Sequence, residues 1–226
     1  MITSKDFDAR GWDVVPTFTP QAQIKQVLLD EMENHSEATG KSSWGTRNIL
    51  QAFVLSTRPK IVLEFGGHIG SASIVMGAAL KANKFGRLYT LEPQEHYYTI
   101  LKNFVEKAGL SDYVCPLQLF SSEFIPLGFF TEKADIIFLD ANHTYSHVLK
   151  DLELCNQLIA ENGLIFLDDV GPDISSRMCE EQSGGVRQAL LDFSENRPDW
   201  KVILFEPPLW LNHCGLGLAC KQAALL

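Results

Sequence analysis

Acids recur at one kind of place in this chain, at or just after the end of an apolar run. Ile61-Val62-Leu63 leads into Glu64, and Leu88-Tyr89-Thr90-Leu91 into Glu92. Ala134 to Leu139 leads into Asp140, and Leu164-Ile165-Phe166-Leu167 into Asp168-Asp169. Short apolar runs bounded by turn residues read as buried strands, so these are carboxylates at strand ends. In an open parallel sheet, ligands bind beyond the carboxyl ends of the strands. Charge is costly to hold there unless something binds it, so its repetition points to a site.

The first run continues as Phe65-Gly66-Gly67-His68-Ile69-Gly70, and Ser71 to Met76 then reads as helix. Glycines let backbone approach a ligand closely, and a helix start offers unpaired N–H groups. This strand–turn–helix suits a nucleotide-like ligand, and the plain alternative is a tight βα turn. The pattern is Glu-x-Gly-x-x-x-Gly, which argues against a nicotinamide oxidoreductase with its G-x-G-x-x-G loop. Glu92 lies 22 positions after Gly70, near the spacing at which a second-strand acid meets ribose hydroxyls. Its alternative is a solvated carboxylate at a helix start.

Asp140, Asp168 and Asp169 fall at the ends of two strands expected to be neighbours, about 4.8 Å apart. Carboxylates so placed can share a hard divalent cation such as Mg²⁺. Otherwise Asp168 and Asp169 cap turns and Asp140 meets a cofactor. His143 follows Asp140 by three residues and can take a proton near neutral pH, unless it is an ordinary loop histidine. His147 reads as helix surface.

The elements that must position these residues alternate. Residues 1–19 read as an irregular arm, Gln21 to about His35 as a helix, and Thr46 to Ser56 as a second helix. Strands are expected at 61–65, 87–92, 113–119, 134–139 and 164–167, with helices over 71–84, 94–108 and 146–160 and a short irregular one over 121–130. Val170 to Gly185 is a long polar loop of the kind that serves as an active-site lid. A helix over 186–196 and strands at 200–205 and 215–221 close the chain. Alternation predicts a mainly parallel sheet with helices on both faces. The short link between the last two strands predicts one antiparallel strand near an edge. Residues 1–58 are expected as an arm and helices covering the site, and 59–226 as the main domain, together one structural unit.

With 226 residues there is room for one domain with a sizeable core. A net charge of −9 argues against nucleic acid as a partner. No segment resembles a signal peptide, a membrane span or a polybasic anchor. Five scattered cysteines without ligand spacing read as reduced thiols of a cytoplasmic protein. The expected partner is a small molecule.

Taken together, these segments resemble the class I S-adenosylmethionine-dependent methyltransferases, and within them the cation-dependent small-molecule O-methyltransferases. Val62 to Gly70 looks like their first motif, and Thr90-Leu91-Glu92-Pro93 like their ribose motif. Phe120 to Pro126 is similar to the adenine-side segment of catechol O-methyltransferases, and Phe138 to His143 and Leu164 to Val170 to their two metal-bearing segments. The resemblance spans about residues 40 to 172. It implies an α/β, Rossmann-like open sheet of seven mostly parallel strands, one antiparallel near the edge.

Carried over residue by residue, it makes Glu64, Gly66, Gly67, His68, Gly70, Glu92, Ser121, Ser122 and Asp140 cofactor-binding. Glu64 anchors the first loop near the methionine end, Glu92 meets the ribose, and Ser121 and Ser122 meet the adenine. Asp140, Asp168 and Asp169 hold Mg²⁺, and Trp44 and Gly45 close over the cofactor. His143 stands where the catechol enzymes have a lysine general base, so the catalytic residues are His143 and Asp140. His68 replaces the motif's middle glycine, and Asp169 replaces an asparagine, as in some sugar O-methyltransferases. No match to catechol-gripping residues follows Pro172.

The implied activity is methyl transfer from S-adenosylmethionine to a hydroxyl of a small molecule. Its alternatives are a metal-independent methyltransferase of the same fold and a non-catalytic S-adenosylmethionine-binding protein. The arm with Trp12, the 171–185 segment and Pro207 to Leu211 are candidates for the acceptor wall. Trp210 serves a flat acceptor, the core or a homodimer contact.

Overall fold

The computed structural model describes residues 24, 26–38, 40–124, 132–171, 185–195, 197–206 and 214–221. The arm with Trp12, the expected lid from 172 onward, residues 125–130 and the wall with Pro208 and Trp210 lie outside them.

The central strand β1 (Ile61–Phe65) is buried at every position. That is the signature of a strand covered on both faces, and it explains why its sequence shows no alternation. It pairs in parallel with β2 (Arg87–Leu91) on one side and β4 (Ala134–Leu139) on the other. Beyond these lie β3 (Val114–Leu117) and β5 (Ile159–Asp168), and the sheet order is β3-β2-β1-β4-β5-β7-β6. β6 (Trp200–Phe205) and β7 (Leu216–Lys221) are joined by too few residues for a crossover. β7 therefore runs antiparallel to both β5 and β6, one place in from the edge.

Side-chain parity divides the core. Ile61, Leu63 and Phe65 face one way, with Ile137, Leu139, Ile165 and Leu167, against α6 (Tyr145–Leu158) and α7 (Gly185–Glu195). Val62, Ile136, Phe138 and Phe166 face the other way, against α2 (Trp44–Thr57), α3 (Ser71–Asn83) and α4 (Glu95–Lys107). Glu64 shares the parity of Val62, so its carboxylate is carried under α3 rather than out of the sheet end. α3 is buried from Ser71 to Leu80 because α2 packs along its outer side. α2 also reaches the sheet, where Phe53 meets Phe166 edge-on at 5.0 Å. Helix α1 (Gln26–Glu33) precedes it, and the single turn α5 (Ser121–Phe124) follows β3.

β5 starts earlier than the sequence predicts. Ala134 pairs with Ile159 and Ile136 with Leu164, so residues 160–163 bulge out of register, with Asn162 at φ 62°. The residues between the expected helix and strand are thus enclosed within β5.

Gly66 fixes how β1 and β4 end together. Its φ is +94°, and a Cβ there would run into the carbonyl oxygen of Asp140. Both the backbone conformation and the space exclude a side chain. Gly66→Ala is expected to lower unfolding stability by about 1–3 kcal/mol, the usual cost of one strained position. Urea titration of the purified variant measures it.

Candidate functional site

Strand order reverses between β1 and β4, the place where open α/β sheets leave a crevice. A cavity of about 390 Å³ opens there, lined among others by Gly66, His68, Glu92, Tyr97, Ser121, Asp140 and His143. Residues after four strands, Gly66 and His68 after β1, Glu92 after β2, Ser121 after β3 and Asp140 after β4, thus come to one space.

Glu92 follows β2 and is 5% exposed. One carboxylate oxygen accepts the His68 N–H at 2.8 Å and the other the Gln94 N–H at 2.9 Å. Two backbone donors hold the charge in place and leave lone pairs on both oxygens for a diol. Gly66 and Gly67 both donate to the Leu91 carbonyl, at 3.0 and 2.9 Å, which ties the β1 loop to β2. A Cβ at Gly67 would meet Thr90 Oγ1, and one at Gly70 would lie 2.7 Å from Leu101 Cδ1. These two glycines are thus required by the protein's own packing. Gly66 and His68 line the cavity themselves.

His68 adopts φ 45°, a left-handed conformation uncommon outside glycine. Its ring leans on Tyr97 with centroids 4.4 Å apart, and its Nδ1 is buried without a hydrogen-bond partner. Burial pulls its pKa down against the nearby carboxylates of Glu92 and Asp140. Glu64 lies 1% exposed beneath the loop and accepts a hydrogen bond from the Ser73 hydroxyl. Burial raises its carboxyl to about 8, with Asp140 and Glu92 adding to the rise and the Ser73 and Thr90 hydroxyls opposing it. Ser121 lines the cavity and donates to Asp151 at 2.6 Å, whereas Ser122 is exposed.

Asp140 follows β4, its N–H held by the Phe65 carbonyl at 2.9 Å. Across from it Asp168 ends β5, and Asp169 turns the chain at φ 60°. The two consecutive aspartates part company. Asp168 is buried and accepts a hydrogen bond from the Thr46 hydroxyl at 3.0 Å, while Asp169 lies 3.2 Å from His143 Nε2. Asp140, His143 and Asp169 offer ligand atoms all within 4.8 Å of one another. The group that converges is therefore two of the three expected acids plus the histidine, with Asp168 directly behind.

Burial raises the carboxyls of both Asp168 and Asp169, and the neighbouring acids add to it. For His143, burial works downward, and the carboxylates of Asp140 and Asp169 outweigh it, so its pKa is raised. Its Nε2 is buried, 3.5 Å from Asp140, and lacks a well-formed hydrogen bond. The carboxylates of Asp140 and Asp169 are hard oxygen donors that fit a divalent ion, and the orphaned imidazole nitrogen beside them keeps its lone pair for a proton.

Thr46 and Asp151 were not singled out by the sequence, which points to Trp44 and Gly45 instead. Thr46 sits 122 positions from Asp168, and no local pattern announces that contact. Trp44 instead stacks under the Arg47 guanidinium, 3.9 Å from its ring centroid.

A family model described as a methyltransferase domain matches residues 63–170, from within β1 to just past β5. Over these residues the chain is similar to a methyltransferase domain. The chain is 32% identical to catechol O-methyltransferase of Mus musculus over 127 residues, covering 54% of this chain and 46% of that one. It is 23% identical over 150 residues to the O-methyltransferase hkm8 of Aspergillus hancockii, covering 66% and 58%. The chain thus spans about half the length of the curated relatives it matches.

Solved structures share the methyltransferase fold over more of its length. The O-methyltransferase from Bacillus cereus in complex with SAH superposes with a TM-score of 0.73 at 18% identity, over 98% of both chains. TomG of Streptomyces achromogenes, in complex with SAM, gives 0.73 at 18% identity, over 88% and 92%. Among the described residues, no helix is long and apolar enough to cross a membrane.

The Glu64 carboxyl yields a test of this geometry. Its folded pKa of about 8 stands above the ordinary glutamate value of 4.5. The folded state therefore holds a proton that the unfolded state releases between those values. Its contribution to stability is complete below about pH 4.5 and is lost as pH rises toward 8. Glu64→Gln is expected to flatten the decline in stability across that window, read by denaturant unfolding at a series of pH values.

Proposed function

We propose that the protein is an S-adenosylmethionine-dependent O-methyltransferase acting on a small-molecule hydroxyl, assisted by Mg²⁺, with His143 as general base. The observation that carries this reading is one cavity lined by a backbone-anchored Glu92 and by Asp140 and His143, which cluster with Asp169. A ribose-type site and a cation-type site then share a single reaction space.

In this reading Glu92 accepts the ribose hydroxyls, and Gly66 and His68 form the wall beside the methionine portion. Ser121 faces the adenine, with Ser122 following it. Asp140, Asp168 and Asp169 are the metal-holding carboxylates. The ion would supply Lewis acidity toward the acceptor hydroxyl, and the cofactor a methyl group already activated by its sulfonium. His143 takes the acceptor's proton at Nε2. The raised pKa of that imidazole strengthens it as a proton acceptor, and general bases of this kind contribute about 10²–10⁴-fold. The remaining contribution of the chain is placement and exclusion of water.

Residues 40–58 serve as the cover. Gly40 lines the cavity and Thr46 holds Asp168, so the stretch from Gly40 into α2 reaches both halves of the site. No described cysteine is in a disulfide: Cys115, Cys155, Cys214 and Cys220 are all thiols. This accords with a cytoplasmic enzyme.

Calorimetric titration tests the assignment. S-adenosylmethionine is expected to bind the wild type, and Glu92→Gln to bind it about tenfold or more weakly, as befits loss of a charged hydrogen-bond acceptor. Mg²⁺ is expected to bind one site that disappears in Asp169→Asn. Failure of the cofactor to bind would overturn the whole reading, whereas cofactor binding without Mg²⁺ binding would leave a metal-independent methyltransferase. In a methyl-transfer assay, His143→Ala is expected to reduce kcat by about 10²-fold or more. Unchanged turnover would remove the histidine from the mechanism.

A further inference from the structure

Ser121 opens α5 and lines the cavity beside Phe120, whose ring is 59% exposed. Its hydroxyl donates to Oδ1 of Asp151 at 2.6 Å. Asp151 sits on α6, only 5% exposed, and its other oxygen lies 3.9 Å from His147 Nε2. A buried carboxylate accepts hydrogen bonds and demands them. A serine hydroxyl carries one proton and two lone pairs. With that proton committed to Asp151, the oxygen can only accept from whatever enters the cavity.

We propose that Asp151 is a positioning residue that fixes Ser121 as an acceptor, so that this part of the cavity selects a purine carrying an exocyclic amine over one carrying a 6-oxo group. The inference rests on the S-adenosylmethionine reading above and adds a basis for its choice of base. An amine at the purine 6-position gives Ser121 Oγ the N–H it lacks. A 6-oxo group would set oxygen lone pairs against those of Ser121. Relief would require the hydroxyl to turn away from Asp151, leaving a buried carboxylate short of a donor. The exposed face of Phe120 offers a platform for either purine and so does not discriminate between them.

Asp151→Asn keeps the shape and reverses the polarity. The new amide can donate its own N–H to Ser121 Oγ, which frees the serine proton to point into the cavity. Ser121→Ala removes the acceptor outright, at a residue that is only partly buried.

Calorimetry with S-adenosylhomocysteine and its deaminated analogue S-inosylhomocysteine, on the full chain, reads the effect. The wild type is expected to bind the adenosyl ligand about tenfold more tightly, the scale of one satisfied hydrogen bond against an unsatisfied one. In Asp151→Asn and in Ser121→Ala that ratio is expected to fall toward one. Should Asp151→Asn not fold, the Ser121→Ala ratio carries the test. If Asp151→Asn weakens both ligands equally and keeps the ratio, Asp151 is merely structural and the proposal fails. If the wild type binds both ligands equally, the proposal fails while the cofactor reading stands. If it binds neither, both fall.

Discussion

Negative charge gathered at the ends of four adjacent strands is the constraint on which this structure turns. Glu92 and Asp140 line one crevice with Glu64, Asp168 and Asp169 packed close by, and Asp140 raises the cost of ionising those three. The protein answers with fixed donors. Glu92 receives two backbone N–H groups, Asp168 a hydroxyl from α2, and Glu64 a hydroxyl from α3. Asp140 and Asp169 receive the flank of His143, and Asp169 also the Cys214 thiol. What remains uncompensated is the negative field at that end of the crevice, which matches a sulfonium, an ammonium or a divalent ion.

That arrangement depends on backbone placement more than on the acids themselves. Gly66 lets the β1 loop pass against the Asp140 carbonyl, and Gly66 and Gly67 bind the same loop to the end of β2. The loop is therefore clamped from both neighbouring strands. His68 takes a left-handed conformation within it, so that its N–H reaches Glu92 while its ring lies along Tyr97. A ligand-binding loop is usually among the less stable parts of a fold. Here it is stapled to both of the strands that flank it.

The outer helix α2 links cover and chemistry. It packs along α3, touches the sheet through Phe53, and sends Thr46 to Asp168. That hydrogen bond draws Asp168 away from Asp169, and the left-handed turn at Asp169 completes the separation. Two adjacent aspartates, which look equivalent in the sequence, thereby acquire different environments. One is buried behind the site, and the other faces His143 within it.

The strand–helix alternation, the parallel sheet with its one reversed strand, and the crevice at the strand ends were legible in the sequence. Each follows from local rules: apolar runs of strand length, glycine turns, and connection lengths. Glu92 was legible for the same reason, since its distance from the glycine turn is a property of one βαβ unit. The burial of Glu64 followed from strand parity once the register with Thr90 and Phe138 was known. The sequence by itself determined which residue types reach the crevice. Only the tertiary structure decided which of them meet. The contacts of Asp168 with Thr46, of Ser121 with Asp151 and of His143 with Asp169 join segments distant in the chain. Such contacts are set by how helices pack on a sheet, and no local pattern of residues encodes that packing.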